Sequence, residues 1–134
     1  MKYISGIYAL NLKCKLNTCG DWHQSSLNWD DVVFDDSDKS IYKEYGIEED
    51  SYQPYLGKKY NVANTIRACL DLLEKGHYDL AQGMKDDFIC NNNYMLEIFN
   101  QVYKMKNKNN WKEIDQFMKK EYKMDWEKYK EKLK

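Results

Sequence analysis

Asn61-Val62-Ala63-Asn64-Thr65-Ile66-Arg67-Ala68-Cys69-Leu70-Asp71-Leu72-Leu73-Glu74-Lys75-Gly76 is the stretch on which the fold turns. Its apolar residues Val62, Ile66, Cys69, Leu70 and Leu73 recur at intervals of three and four, the repeat that lines one face of an α-helix. Asn61 is of a type that caps helix N-termini, and Gly76 stands where a left-handed terminator belongs. A helix is therefore expected from about Asn61 to Gly76. It also marks a change of regime, because the helical period persists after it and is absent before it.

Downstream, Tyr78-Asp79-Leu80-Ala81-Gln82-Gly83 reads as a short helical turn ended by glycine. Asn91 to Asn93 can cap a further helix whose stripe is Tyr94 or Met95, Ile98, Phe99, Val102 and Met105, stopping in Lys106-Asn107-Lys108-Asn109-Asn110. Trp111, Ile114, Asp115, Phe117 and Met118 define another amphipathic helix. Asp125 is placed to cap a last one from Trp126 to Leu133. Upstream, Tyr3-Ile4-Ser5-Gly6-Ile7-Tyr8-Ala9-Leu10-Asn11-Leu12 is rich in β-branched and aromatic residues with a partial period of two, so a strand is expected, bulged at Gly6. Leu27-Asn28-Trp29 and Val32-Val33-Phe34 form a second strand-like segment suited to pair with it. Asp30 to Ser51 has weak periodicity and is expected as surface loop and short turns, with Pro54 and Gly57 closing this half.

The predicted fold class is α+β, a small N-terminal hairpin or sheet packed on a helical C-terminal half of about four helices. Residues 1–134 are expected to form one domain, strand- and loop-rich over 1–57 and helical over 58–134. A chain of 134 residues can bury a core without disulfide staples. Charged residues are 32% and apolar ones 43%, a globular composition. No run of about 18 apolar residues is available to span a membrane, and Met1-Lys2-Tyr3-Ile4-Ser5-Gly6 lacks an apolar signal segment, so a cytoplasmic location is expected. Cys14, Cys19, Cys69 and Cys90 are accordingly read as reduced thiols, Cys69 and Cys90 as buried ones in apolar surroundings.

Charge is unevenly distributed. Asp30, Asp31, Asp35, Asp36, Asp38, Glu44, Glu48, Glu49 and Asp50 face only Lys39 and Lys43 within their segment, whereas the tail from Lys104 is lysine-rich. Lysine mixed with Trp111, Tyr122, Trp126 and Tyr129 suits phosphate tracking and base stacking. Those aromatics also fall at helix-core spacing, and a net charge of -1 is far from the basic signature of nucleic-acid-binding domains, so direct nucleic-acid binding is the weaker reading. No phosphate-cradling glycine loop and no G-x-S-x-G motif is present.

The densest group of reactive side chains is Cys19-Gly20-Asp21-Trp22-His23. Cys14, Cys19 and His23, with Cys90 as a fourth donor, have residue types that zinc accepts, but the spacing is looser than that of structural zinc knuckles, and no metal or cofactor is expected. Cys19, His23 and Asp21 name the members of a nucleophilic triad, although three residues on one tight loop rarely aim at one another. Asp21 and His23 as an acid–base pair, with Arg67 gripping an anion, need fewer coincidences and would serve a small enzyme acting on a nucleotide or nucleic acid. The structural alternative is that Asp21 and His23 brace a turn while Trp22 plugs into the core.

Ile4 to Leu12, Cys19 to His23 and Tyr60-Asn61-Val62-Ala63-Asn64 together resemble a group of short bacterial proteins, with similarity running through Gln82-Gly83-Met84 and Asp87-Phe88-Ile89-Cys90 to Asp125-Trp126. That group is similar to the small partners of two-gene toxin–antitoxin or phage-defence loci. The resemblance implies an interaction protein and supplies no catalytic residues. The expectation is a non-enzymatic module that restrains a bacterial partner protein, a nucleic-acid-directed one being the candidate, through Trp22, Trp29, Asp30, Asp31, Asp35 and Asp36. Replacing Trp22 by alanine is expected to cost roughly 3 kcal/mol if its ring fills the core and clearly less if it meets a partner. His23→Ala should leave the melting temperature intact while activity falls under a binding or catalytic role, and lower both under a bracing role.

Overall fold

The computed structural model describes residues 1–19, 27–54 and 56–133. Its N-terminal half holds a four-stranded mixed sheet of order β2-β1-β4-β3, formed by β1 (Lys2–Ile4), β2 (Phe34–Asp36), β3 (Ile47–Gln53) and β4 (Lys58–Ala63). β2 runs antiparallel to β1 with Ile4 opposite Phe34, and β4 runs parallel to β1 with Ile4 opposite Val62. β3 and β4 form a hairpin whose register shifts between Glu48 and Ser51. The extra backbone is taken up at Asp50, which has a φ of 51° and donates its N–H to Asn61 Oδ1 at 3.1 Å. The helices are α1 (Gly6–Leu10), α2 (Thr65–Glu74), α3 (Tyr78–Ala81), α4 (Met95–Tyr103), α5 (Trp111–Tyr122) and α6 (Met124–Lys132). A π-turn, Met84–Ile89, joins α3 to the approach to α4. The class is α+β.

The strand expected over Tyr3 to Leu12 ends at Ile4. Gly6 adopts a φ of +60°, which no extended strand allows, and a Cβ there would lie 3.4 Å from Leu72 Cδ2. The chain therefore breaks at Ser5 and turns into the short helix α1, pressing Ala9, Leu10 and Leu12 into the core. The second strand also begins late. Trp29–Asp31 is a 3-10 turn capped by Asn28, and only Phe34–Asp36 pairs with β1. The acidic segment, expected as loop, contains that strand and most of β3.

Helix α2 starts at Thr65 rather than near Asn61, because strand pairing holds the backbone extended through Ala63. Asn64 is the cap, its Oδ1 accepting from the Arg67 N–H at 2.9 Å, while Asn61 links strands by donating to the Lys2 carbonyl at 3.2 Å. Every residue from Thr65 to Leu73 is buried, so α2 is surrounded. It stops at Gly76, whose φ is +81°. α6 likewise begins at Met124, with Asp125 inside its first turn rather than at its cap.

One cluster of buried side chains runs from Tyr3 and Ile4 of the sheet, through α2, to Trp126. At its helical end Trp126 is fully buried, with Phe99 edge-on at 5.2 Å and Tyr129 stacked at 5.6 Å. Its indole Nε1 donates to Asp115 Oδ1 at 2.8 Å, which also accepts from Lys130 Nζ at 2.6 Å. The aromatics of the lysine-rich tail are thus core or packed against it, which removes them from base stacking.

The largest polar side chain fully buried among the described residues is Arg67, on α2. Its Nε donates to Asp71 Oδ1 at 2.8 Å, one turn on. Nη1 donates to the carbonyls of Lys43 at 2.7 Å and Tyr45 at 2.5 Å, and Nη2 to the Tyr3 hydroxyl at 2.9 Å. Asp71 Oδ2 accepts from Tyr3 at 2.6 Å and from Ser5 at 2.5 Å. The guanidinium also lies over the Tyr3 and Tyr42 rings. Gly46 lets the 43–46 backbone approach, since a Cβ there would sit 2.7 Å from Arg67 Cβ.

Arg67→Met should lower stability by about 3–5 kcal/mol in urea denaturation, because it leaves the Asp71 carboxylate buried without its cation. Pairing it with Asp71→Leu should recover much of that loss. The acid limb is set by other groups. The Asp38 N–H bonded to its carboxylate holds Asp36 below the usual range. Burial would raise Asp115, but its bonds from Lys130 and Trp126 overcome that and leave it lowered. Both lowered groups contribute stability above the ordinary carboxylate pKa that disappears as pH falls through their folded values. Asp71, raised chiefly by burial, has the opposite sign and loses its contribution as pH rises through its folded value. In acid titrations of stability, Asp115→Asn should therefore flatten the low-pH slope.

Candidate functional site

The residues expected to meet a partner fall into two groups. Asp35 and Asp36, on β2, are fasteners: Asp35 pairs with Lys75 at 2.5 Å, and Asp36 lies 3.6 Å from both the N-terminal amine and Lys2 Nζ. Asp30 and Asp31 are exposed on the 3-10 turn before β2. Asn28 builds that turn, accepting from the Asp30 N–H at 3.1 Å and donating to Asp31 Oδ2 at 2.9 Å. Trp29 in the same turn is half-buried, packed edge-on against Tyr8 at 5.2 Å. It anchors the turn and leaves the two carboxylates outward.

Immediately after this turn the chain exposes apolar surface. Val33 is 71% exposed and Phe34 38%. Phe34 stacks on Tyr60 of β4 with centroids 5.7 Å apart. The two rings border an open groove of about 540 Å³ whose other walls are Lys2, Asp50, Lys59 and Asn61. On the adjoining edge strand β3, Glu49 and Asp50 are exposed and Tyr52 is 60% exposed opposite Lys59. Aromatic and aliphatic surface rimmed by charge, beside an unpaired strand edge, is chemistry suited to another protein. Sequence reading had found the acids. It missed Val33, Phe34 and Tyr60, because the Phe34–Tyr60 stack forms only when β2 and β4 come to either side of β1.

Of the acid–base pair Asp21 and His23 and the anion grip Arg67, only Arg67 is among the described residues. Arg67 is enclosed with its donors directed to Asp71, Tyr3, Lys43 and Tyr45, so it is not an anion clamp. Gly20, Asp21, Trp22 and His23 lie outside the described residues. Cys14 faces Thr65 Oγ1 at 3.3 Å and Thr18 Oγ1 at 3.9 Å. Cys69 is buried as expected, its thiol pushed far up by that burial, whereas Cys90 is exposed, contrary to the apolar setting its neighbours suggested. Among the described residues no three His, Cys, Asp or Glu side chains are grouped to hold a metal ion.

A second cleft, of about 290 Å³, reaches Tyr3, Asp71 and Glu74 beneath Lys39, Lys75 and Lys108. Its floor is chemically committed. Asp71 is bonded as described above, and Glu74 accepts from Ser40 Oγ at 2.7 Å and the Ile41 N–H at 3.2 Å. Charges so fully satisfied brace loop 37–45 against α2. An Arg–Asp pair one helical turn apart inside an apolar stripe was the sequence signal for this brace. The groove at Phe34 and Tyr60 is thus the site best suited to recognition, and no family model, no curated protein and no solved structure matches the chain.

Proposed function

We propose that this protein is a non-enzymatic binding module that docks on another protein and restrains it, in the manner of an antitoxin or defence inhibitor. The observation that carries the reading is the exposed Val33 and the Phe34–Tyr60 stack, set directly after the outward carboxylates of Asp30 and Asp31. Solvent-exposed aromatics at the centre of a patch supply affinity, and like charges at its rim steer a partner of opposite sign. The partner is accordingly a basic protein, as nucleic-acid-directed proteins are, and its basic surface meets Asp30 and Asp31 while an apolar side chain enters beside Phe34. The resemblance to small bacterial toxin–antitoxin and defence partners supports the same class.

The test is affinity capture with the full chain in extract of its source organism, at low and at moderate salt. A stoichiometric basic partner is expected, retained more weakly as salt screens the rim charges. Val33→Ala should weaken that complex without lowering the melting temperature appreciably, and Phe34→Ala should weaken it by roughly tenfold or more. Asp30→Lys with Asp31→Lys should weaken it mainly at low salt. Capture of no stoichiometric protein at either salt would overturn the reading.

A further inference from the structure

Asn17 is pinned from both sides to the segment that follows the π-turn. Its N–H donates to the Tyr94 hydroxyl at 3.0 Å, and its carbonyl accepts from Asn91 Nδ2 at 2.9 Å. These bonds carry Cys19, two residues on, to the end of the π-turn, where Cys90 leaves Ile89 in a left-handed conformation with φ 52°. Asn91, which holds the Asn17 carbonyl, directly follows Cys90, so the two cysteines are neighbours in space, near enough for Cys19 to act on the Cys90 thiol. Cys90 Sγ donates to the Asp86 carbonyl at 2.9 Å. Both side chains are exposed.

Two thiols far apart in sequence, brought to one corner by the Asn17 bonds to Tyr94 and Asn91 and both open to solvent, have what a disulfide site needs: proximity and access for an oxidant. We propose that Cys19 and Cys90 form a dithiol–disulfide site whose substrate class is a small disulfide such as oxidised glutathione. Burial, followed by the neighbouring Cys19, pushes the Cys90 thiol up to about 11, which makes Cys90 a poor first nucleophile at neutral pH. Attack therefore begins at Cys19. Its thiolate displaces one glutathione thiolate, which takes up a proton, and leaves a mixed disulfide on Cys19. Cys90 then gives up its proton and attacks the Cys19 sulfur, expelling the second glutathione. Two electrons and two protons pass from the protein to two molecules of glutathione. The bridge locks the chain after α1 to the corner before α4, where Asn17 already binds Asn91 and Tyr94.

The experiment treats the folded full chain with oxidised glutathione at neutral pH, without denaturant, and reads intact mass, non-reducing peptide maps and melting temperature. Expected are the loss of two hydrogens, a Cys19–Cys90 peptide pair, reversal by dithiothreitol, and a rise in melting temperature of roughly 5–15 °C. Cys19→Ser and Cys90→Ser should each abolish the bridge and the rise, whereas Cys14→Ser should preserve both. Should the serine variants fail to fold, the peptide map of the wild-type protein decides alone. Stable glutathione adducts on Cys19 or Cys90 without a bridge, a bridge that uses Cys14, or no reaction of the folded protein would each overturn the proposal.

Discussion

The buried ion pair of Arg67 and Asp71 is the constraint around which the sheet, helix α2 and the acidic loop are mutually arranged. A charged pair in an apolar interior is tolerable only when its remaining hydrogen-bonding capacity is filled, because desolvating each ion costs several kcal/mol. Here the filling comes from three separate stretches: Tyr3 and Ser5 at the end of β1, the carbonyls of Lys43 and Tyr45, and α2 itself. None of these stretches is close to another in sequence. The network therefore specifies which backbone stands beside the helix in a way that apolar contacts alone, being non-directional, do not. Gly46 belongs to the same constraint, since any side chain there would separate loop 43–45 from the guanidinium.

Much of the helical half was legible because its signals are local. A stripe such as Ile98, Phe99, Val102 and Met105 has one dominant reading, and all four residues are buried. Trp111, Ile114, Phe117 and Met118 likewise define α5 within its observed limits. The N-terminal half was harder because its structure depends on pairing between distant strands. Val62 and Ala63 carry a helical stripe's composition, yet their pairing with Glu48 and Ile47 keeps them extended and delays the cap from Asn61 to Asn64. At Gly6 the reverse occurred: β-type composition yielded to a positive φ and close packing on Leu72. Composition proposes and pairing decides, and only the first is visible in a single sequence.

The candidate site was half legible for a related reason. Charge is conspicuous in sequence, so Asp30, Asp31, Asp35 and Asp36 could be singled out together. Which of them remains outward depends on where the cations fall, and Lys75 and the N-terminal amine reach Asp35 and Asp36 only through the folding of α2 and β1 beside β2. Arg67 illustrates the same limit from the other side. As the only arginine it invited a reading as an anion grip, but a planar donor group with five N–H bonds to place is equally suited to tie three segments together inside a protein. Its position on the i, i+4 spacing with Asp71, between apolar neighbours, favoured the interior role.

The two halves differ in how they dispose of their aromatic side chains, and this difference separates structure from recognition. In the helical half Tyr129 stacks on Trp126 and Phe99 packs against both rings, and the Trp126 indole nitrogen is satisfied by Asp115. Polar handles buried with partners rigidify a core and leave little to offer a visitor. In the sheet half Phe34 of the Phe34–Tyr60 stack is partly exposed, and Tyr52 extends from an edge strand. Folding stability gains little from Tyr52, which is 60% exposed, and only part of what Phe34 could give, since 38% of it remains in water. Their backbone positions are fixed nonetheless, Phe34 by its pairing with Ile4 and Tyr52 and Tyr60 by the β3–β4 ladder. Apolar surface that stays in water in the free chain retains its transfer free energy for a second molecule, which is the physical basis for proposing recognition on this face and not on the lysine-rich helices.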